Sequence, residues 1–461
     1  MIDVKAETER YYESAVELLK TLVSYESVLS EPQENMPYGK NCAQCLGAAR
    51  AYLEKEGFLT AEFDNHAITA AFDEREPQLG ILCHLDVVPA GDGWNSDPFT
   101  LVQKGNKLIG RGAIDDKGPA AAVITAMRII KDSGIPIRKN VRLILGSNEE
   151  NGSSDMEYYR SKEDFPPMLF TPDGSFPIIT IEKGMIRCKI TSKLPADSSK
   201  AIISLEGGTA VNAVPEKASV CLRGFSRGDI NRAAEETHLD DITFEITENG
   251  DEILIKAKGK SAHASTPQQG RNAAAAIFTL LSRLDFGNET DKIIRGICTL
   301  FPFGETDGAS AGVKCGDEKS GELTLVMGLV SVKDGFLRID IDSRIPVSRN
   351  TEDISGTLEL SAAKYGLDAQ VYLRSEAHCV DENSDFIHTL LEVYERVSGM
   401  KGECLAIGGG TYVHDTENGV AFGAEWDGVD NHIHGADEFI TTEELKKDIE
   451  MYTETILRLC C

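Results

Sequence analysis

Three runs near the amino end constrain the fold more than any other feature. "LGILCHLDVV" from Leu79 and "NVRLILGSN" from Asn140 are short, apolar and bounded by turn residues, and "PAAAVITAMRII" between them reads as a helix. Strand, helix, strand in that order predicts a sheet with parallel strands covered by helices. Two amphipathic helices come first: Tyr12, Ala15, Val16, Leu19, Leu22 and Val23 recur at helical spacing, and so do Cys42, Cys45, Leu46, Ala49, Tyr52 and Leu53 before Gly57.

After about Ile179 the texture changes to hairpins, with Asn249-Gly250 and Asp334-Gly335 as turns and helical runs at 271–284 and 351–364 between them. From Asp381 the first texture returns: a helix through "FIHTLLEVYERVSG", a strand-like "GVAFGAE", and a terminal helix opened by a Thr441 to Glu444 capping box. The 461 residues exceed the ~250 to 300 at which a single core stops growing. The expected organisation is an outer α/β domain from 1–180 and 380–461, interrupted by an α+β insertion at 181–379 holding two subdomains.

With 47 basic against 75 acidic side chains the formal charge is -28, which repels phosphate backbones and anionic lipid and argues against nucleic-acid or membrane partners. "MIDVKAETERYYESAVELLK" carries no signal-peptide pattern, no apolar run reaches membrane-spanning length, and eleven cysteines without a secretion signal suit a reducing compartment, so a cytoplasmic location is expected. Cys42 and Cys45 form a lone C-x-x-C on the apolar face of their helix and read as core.

The chemistry-bearing residues sit at segment ends. His84 and Asp86 are two apart at the end of a strand, where the aspartate can orient a metal-bound imidazole. Glu149 and Glu150 follow the strand of "VRLILGSN", Asp173 lies in the turn of "LFTPDGS", and His432 and His434 stand in "DNHIHGADEF". Asp115 and Asp116 sit side by side before a helix, where solvated charge at the positive end of the helix dipole is the bland account. Each item alone has such an account. Together they offer a mixed oxygen and imidazole donor set suited to two divalent ions, zinc first and manganese or cobalt otherwise.

Seven segments, in order, resemble the co-catalytic metallopeptidases that include carboxypeptidase G, aminoacylases, carnosinase and bacterial peptidase V, the last most closely. They are "CHLDVVPAGDGWNSDPF", "GRGAIDDKGP", "GSNEENG", "TPDGSFPI", "GGTAVNAVPEKA", "GKSAHASTPQQG" and "GGGTYV". The resemblance implies that the outer domain is catalytic and the insertion a lid. It implies that His84 and Asp173 bind one metal, Glu150 and His434 the other, and that Asp115 bridges both while Asp116 does not ligate. The bond after the bridging aspartate is typically cis in that family. Asp86 is implied as the orienter of His84, Glu149 as the general base, and His263 as an oxyanion donor reaching the site from the insertion. Asn212, Arg344, Gly409, Gly410 and Thr411 match substrate-binding positions, with the arginine suited to a dipeptide's free carboxylate.

Two departures stand out. His432 competes with His434, and the family's H-x-x-[DN]-E spacing selects His434; Val413, His414 and Asp415 stand where many relatives carry a basic residue after "GGGTY". The expectation is a dipeptidase acting on unsubstituted dipeptides as a monomer, or as a dimer in which the partner supplies the histidine. An N-acyl-amino-acid amidohydrolase or a carboxypeptidase is the alternative, and a metal-free binding module is the reading from another class.

Overall fold

The protein is described from a computed structural model covering residues 2–195, 198–239 and 241–461. The chain divides into two compact units, one of Met1–Thr180, Val380–Leu405 and Gly410–Cys461, the other of Ile181–Cys379 and Ala406–Gly409.

In the first unit, Pro77–His84 lies between Asn140–Gly146 and Met168–Thr171 and runs parallel to both. Gly419–Ala421 continues the parallel set beside Met168–Thr171. Antiparallel strands Ala67–Ala71 and Leu59–Phe63 extend the other side, so the sheet is mixed with a parallel centre. The helix Lys117–Asp132 is buried at every side chain from Lys117 to Met127, and it packs with the helices Val4–Val23 and Thr442–Cys460 through Leu19, Leu22, Ile129, Ile449 and Tyr452. Burying such a side chain fully contributes about 1.5–3 kcal/mol, which fits the absence of any charged side chain from 118 to 127. Cys42 and Cys45 are buried with thiols directed at the carbonyls of Val28 and Leu22, as core residues. Thr441 and Glu444 form the expected capping box.

Parallel pairing decides where the chemistry goes. His84 is in register with Gly146, and Ile81 with Phe170, so three strands end at the same edge and the segments that follow them, 84–86, 147–150 and 172–175, emerge together.

The second unit is built on an antiparallel sheet of eight strands in the order Thr243–Asn249, Glu252–Lys258, Lys217–Arg223, Ala201–Gly207, Thr324–Lys333, Phe336–Ile345, Gly184–Lys193 and Asp368–Ser375. Both turn predictions hold, with Gly250 at φ 68° and Asp334 and Gly335 at φ 52° and 73°. The two expected subdomains are halves of one continuous sheet. Backbone pairing of Leu205 with Val332 and of Gly207 with Val330 joins them. Helices at Arg227–Thr237 and Glu289–Leu300 accompany the expected ones at Ala273–Leu281 and Thr351–Ala363.

Candidate metal centre

Six of the residues singled out in the sequence meet at the strand-end edge of the first unit. His84, Glu149 and Asp173 form one group of potential ligand atoms within 4.8 Å of one another, and Asp115, Glu150 and His434 form a second. Asp115 touches both. Its Oδ1 is 2.9 Å from His84 Nε2 and its Oδ2 is 2.9 Å from His434 Nε2. Asp173 Oδ2 lies 3.7 Å from His84 Nε2, and Glu150 Oε2 lies 3.2 Å from His434 Nε2.

These contacts are not those of a satisfied polar core. His84 is fully buried, and its Nε2 has no hydrogen-bond partner although Asp115 is so near. Its other ring nitrogen lies 3.0 Å from the backbone carbonyl of Asp86; a proton there leaves the Nε2 lone pair free. Donor atoms that converge this closely, with the buried His84 Nε2 left without a well-directed hydrogen bond, fit a cation between them. Charge leads to the same conclusion, because four carboxylates crowd two imidazoles here and buried like charges are costly without a counter-ion. The residues present therefore fit the divalent ions that the sequence implies.

The crowding of acids and imidazoles shifts the proton affinities of the cluster. Hydrogen bonds to Asp115 and Glu150 push His434 up to about 11. Burial works against a charged His84, but contacts with Asp115 and Asp86 outweigh it and raise its pKa well above the usual histidine value. Burial and the neighbouring Asp115 raise Asp173 to about 8. Burial and Asp173 also push Glu149 well above the usual carboxylate range. Asp115 moves the opposite way: burial opposes its charge, but the two histidines more than compensate.

The residues behind these groups fix their positions. The carboxylate of Asp86 accepts the backbone N–H groups of Glu149 (3.1 Å) and Glu150 (3.2 Å), while its backbone carbonyl faces His84. One aspartate thus braces the histidine strand end and the glutamate turn at once. The Asp115–Asp116 peptide bond is cis. Asp116 is not solvated helix-start charge, which corrects that expectation: it is fully buried, makes no cap hydrogen bond, and accepts the His84 backbone N–H at 3.0 Å. The physical reason is the helix it precedes, whose first turn is packed inside the core. His432 faces the carbonyl of Ala436, whereas His434 joins the cluster.

Two buried pairs were not anticipated. Glu438 pairs with Arg111, and its second oxygen accepts the N–H groups of Ile114 and Asp115. Asp155 accepts from the N–H groups of Ser147 and Asn148 and from the Tyr412 hydroxyl. The available signal was position, since Arg111 and Tyr412 lie inside the quoted motifs "GRGAIDDKGP" and "GGGTYV".

The second unit holds Asn212, His263, Arg344 and Gly409. Asn212 O accepts the Ala264 N–H, Ala213 pairs with His263, and Thr324, whose hydroxyl donates to Ala264 O, is in register with Arg344. His263 Nδ1 lies 2.7 Å from the Ser265 hydroxyl. Arg344 does not present a free fork. Its Nε and Nη2 donate to Asp342, and its Nη1 donates to Gly408 O. Gly409 belongs to this unit, whereas Gly410 and Thr411 belong to the first, where Thr411 O accepts the His414 N–H.

Residues 80–458 match the model of peptidase family M20/M25/M40. The chain belongs to that family. It is 34% identical over 431 residues to a Bacillus subtilis protein named "Putative dipeptidase YtjP", covering 92% of each chain. Among solved structures it is similar in fold to the dipeptidase Dug1p of Saccharomyces cerevisiae (TM-score 0.61, 12% identity, 98% of this chain and 97% of that one). Human carnosine dipeptidase 1 is similar at TM-score 0.58 and 16% identity, with 98% of each chain covered. The protein is thus a metallopeptidase of mixed α/β fold. Among the described residues no helix is long and apolar enough to cross a membrane.

Proposed function

We propose that this family member is a dipeptidase that hydrolyses the single peptide bond of unsubstituted dipeptides with two divalent metal ions, zinc first and manganese or cobalt otherwise. The observation that carries the reading is Asp115, whose two oxygens stand at equal distance from His84 and His434. In this reading His84 and Asp173 hold one ion, Glu150 and His434 the other, and Asp115 both. Bound there, the ions supply the positive charge that polarises the scissile carbonyl and makes water acidic enough to deprotonate near neutral pH.

This chain's own groups do the rest. Glu149, grouped with His84 and Asp173, takes the proton from the attacking water and returns it to the leaving amine. Asp86 keeps Glu149 in place through its backbone N–H. His263 steadies the oxyanion, and Asn212, Arg344, Gly409, Gly410 and Thr411 bind the dipeptide. The hydrogen bonds from Arg344 to Asp342 and Gly408 support an already oriented guanidinium, with its cost of ordering met before substrate arrives. The inserted segment acts as a lid over a monomeric, cytoplasmic enzyme.

Elemental analysis of the purified protein together with hydrolysis of Ala-Ala and N-acetylalanine tests this. Two metals per chain, faster turnover of Ala-Ala, and loss of turnover in Glu149→Ala are expected. Faster turnover of the acetylated compound supports the amidohydrolase reading instead, and a wild type that carries no metal sinks both.

A further inference from the structure

Glu425 has no role in the mechanism above, yet the fold brings it to the edge of the metal centre. Its backbone pairs with Ser175 in a parallel bridge: Glu425 N donates to Gly174 O at 2.8 Å, and Phe176 N donates to Glu425 O at 2.9 Å. That register places Glu425 alongside the turn that carries Asp173. The half-buried carboxylate hydrogen-bonds with Ser175 and feels the charges of Asp115 and His434, while Asp173 feels Glu425 in turn. Glu425 also lines a cavity of about 540 Å³ together with Phe176, Tyr394, Lys401, Glu403 and Trp426. The Phe176 and Trp426 rings stand 4.5 Å apart, giving the cavity an aromatic wall.

A carboxylate in this position calls for a cation. Among the described residues no lysine or arginine forms an ion pair with it, Lys401 of the same cavity included. A dipeptide supplies the missing partner. Its α-ammonium is two bonds from the scissile carbonyl, so a carbonyl held at the metal centre brings an ammonium beside whichever carboxylate borders the ligands. A basic side chain on the same residue reaches further, where aromatic faces also attract cations.

We propose that Glu425 is a specificity-determining residue that receives an ammonium group carried by the amino-terminal residue of the substrate. This rests on the dipeptidase reading and adds what that reading lacks, a group that distinguishes a free amine from an acyl cap. The reaction itself does not change: Glu425 binds and selects, and Glu149 moves the proton.

The test compares Ala-Ala, Lys-Ala and propionyl-alanine, which keeps the shape of Ala-Ala but lacks the ammonium, in wild type, Glu425→Gln and Glu425→Met. Binding is read as KM for substrates and as Ki for any compound that only inhibits. Loss of one charge-assisted contact predicts that KM for Ala-Ala rises about ten-fold or more in both variants. With kcat and metal content little changed and propionyl-alanine binding unmoved, the gap between the two compounds closes. If only Lys-Ala weakens, the ammonium is the side-chain one; if Ala-Ala weakens too, it is the α-ammonium. Equal weakening of all three compounds, no weakening of any, or loss of metal in Glu425→Gln overturns the proposal. A wild type that prefers propionyl-alanine refutes the dipeptidase reading itself and is seen before any variant is made.

Discussion

Arg111 and Glu438 form an ion pair with each side chain only 1% exposed, and the glutamate oxygen not facing the arginine accepts the Ile114 and Asp115 N–H groups at 3.1 and 3.3 Å. The pair holds the backbone from which the Asp115 carboxylate projects. Removing one partner from a buried pair typically costs about 3–5 kcal/mol because the other charge is left uncompensated. Glu438→Gln and Arg111→Met are each expected to lower stability on that scale in urea unfolding. The double variant should recover part of the loss, and additive losses would show that the two side chains do not act as a pair.

Asp115 and Asp116 are predicted to respond differently to the same change. Asp115→Asn removes a charge shared by two histidines, and at least one metal per chain and about 100-fold or more in turnover should go with it. Asp116→Asn keeps an acceptor for the His84 N–H and should retain both metals. Metal analysis of the two proteins side by side decides the assignment, and the reverse pattern places the bridge on Asp116.

Gly146 ends the strand before the glutamate turn, where a Cβ would lie 2.1 Å from the Tyr412 hydroxyl and 2.5 Å from Asp155 Oδ2. Neither atom can retreat, since both belong to one buried hydrogen-bonded group. Gly146→Ala should therefore cost about 1–3 kcal/mol, read as a lower Tm, and should slow turnover by displacing Glu149 and Glu150. An unchanged Tm would show that the turn has room the structure does not display.

Asp155 provides a pH signature away from the ligands. Burial, then the charge of Asp86, raises it from 3.8 to about 6. A raised carboxyl means that the folded chain binds a proton the unfolded chain has lost, so this group's contribution to stability falls as pH rises from about 4 to 6 and is level above that. The shift of roughly two units corresponds to about 3 kcal/mol across the window. Subtracting the unfolding free energy of Asp155→Asn from that of wild type between pH 4 and 7 should show this fall. A difference independent of pH would mean that Asp155 is ionised in the folded protein throughout.

Much of this was legible because it is local. Asn249-Gly250 and Asp334-Gly335 announce hairpins through residues that accept positive φ, and Thr441 with Glu444 announces a helix start three residues apart. Cys42 and Cys45 were placed in the core by helical spacing alone. The clustering donors were legible for a different reason: they lie in ordered motifs that resemble one family, even where each acid, taken singly, could be solvated charge. What stayed hidden was partnership. Nothing near Arg344 in sequence says that Gly408 accepts from one of its nitrogens, and nothing near Glu425 says that it lies beside Ser175.

The sequence by itself determined the elements and the donor types: a parallel strand and helix core, an antiparallel insertion, and histidines and acids at the segment ends. Only the tertiary structure decided which donors meet. Parallel register brings the ends of three strands to one edge, and the segments carrying Asp115 and His434 pack against it, so two histidines 350 residues apart meet on one carboxylate. The same packing separates two adjacent aspartates. Asp115 reaches both histidines, whereas Asp116 is drawn into the core by the apolar helix that follows it and holds the backbone of His84. Burial is a property of what packs around a residue, and for this doublet the neighbours come from the whole length of the chain.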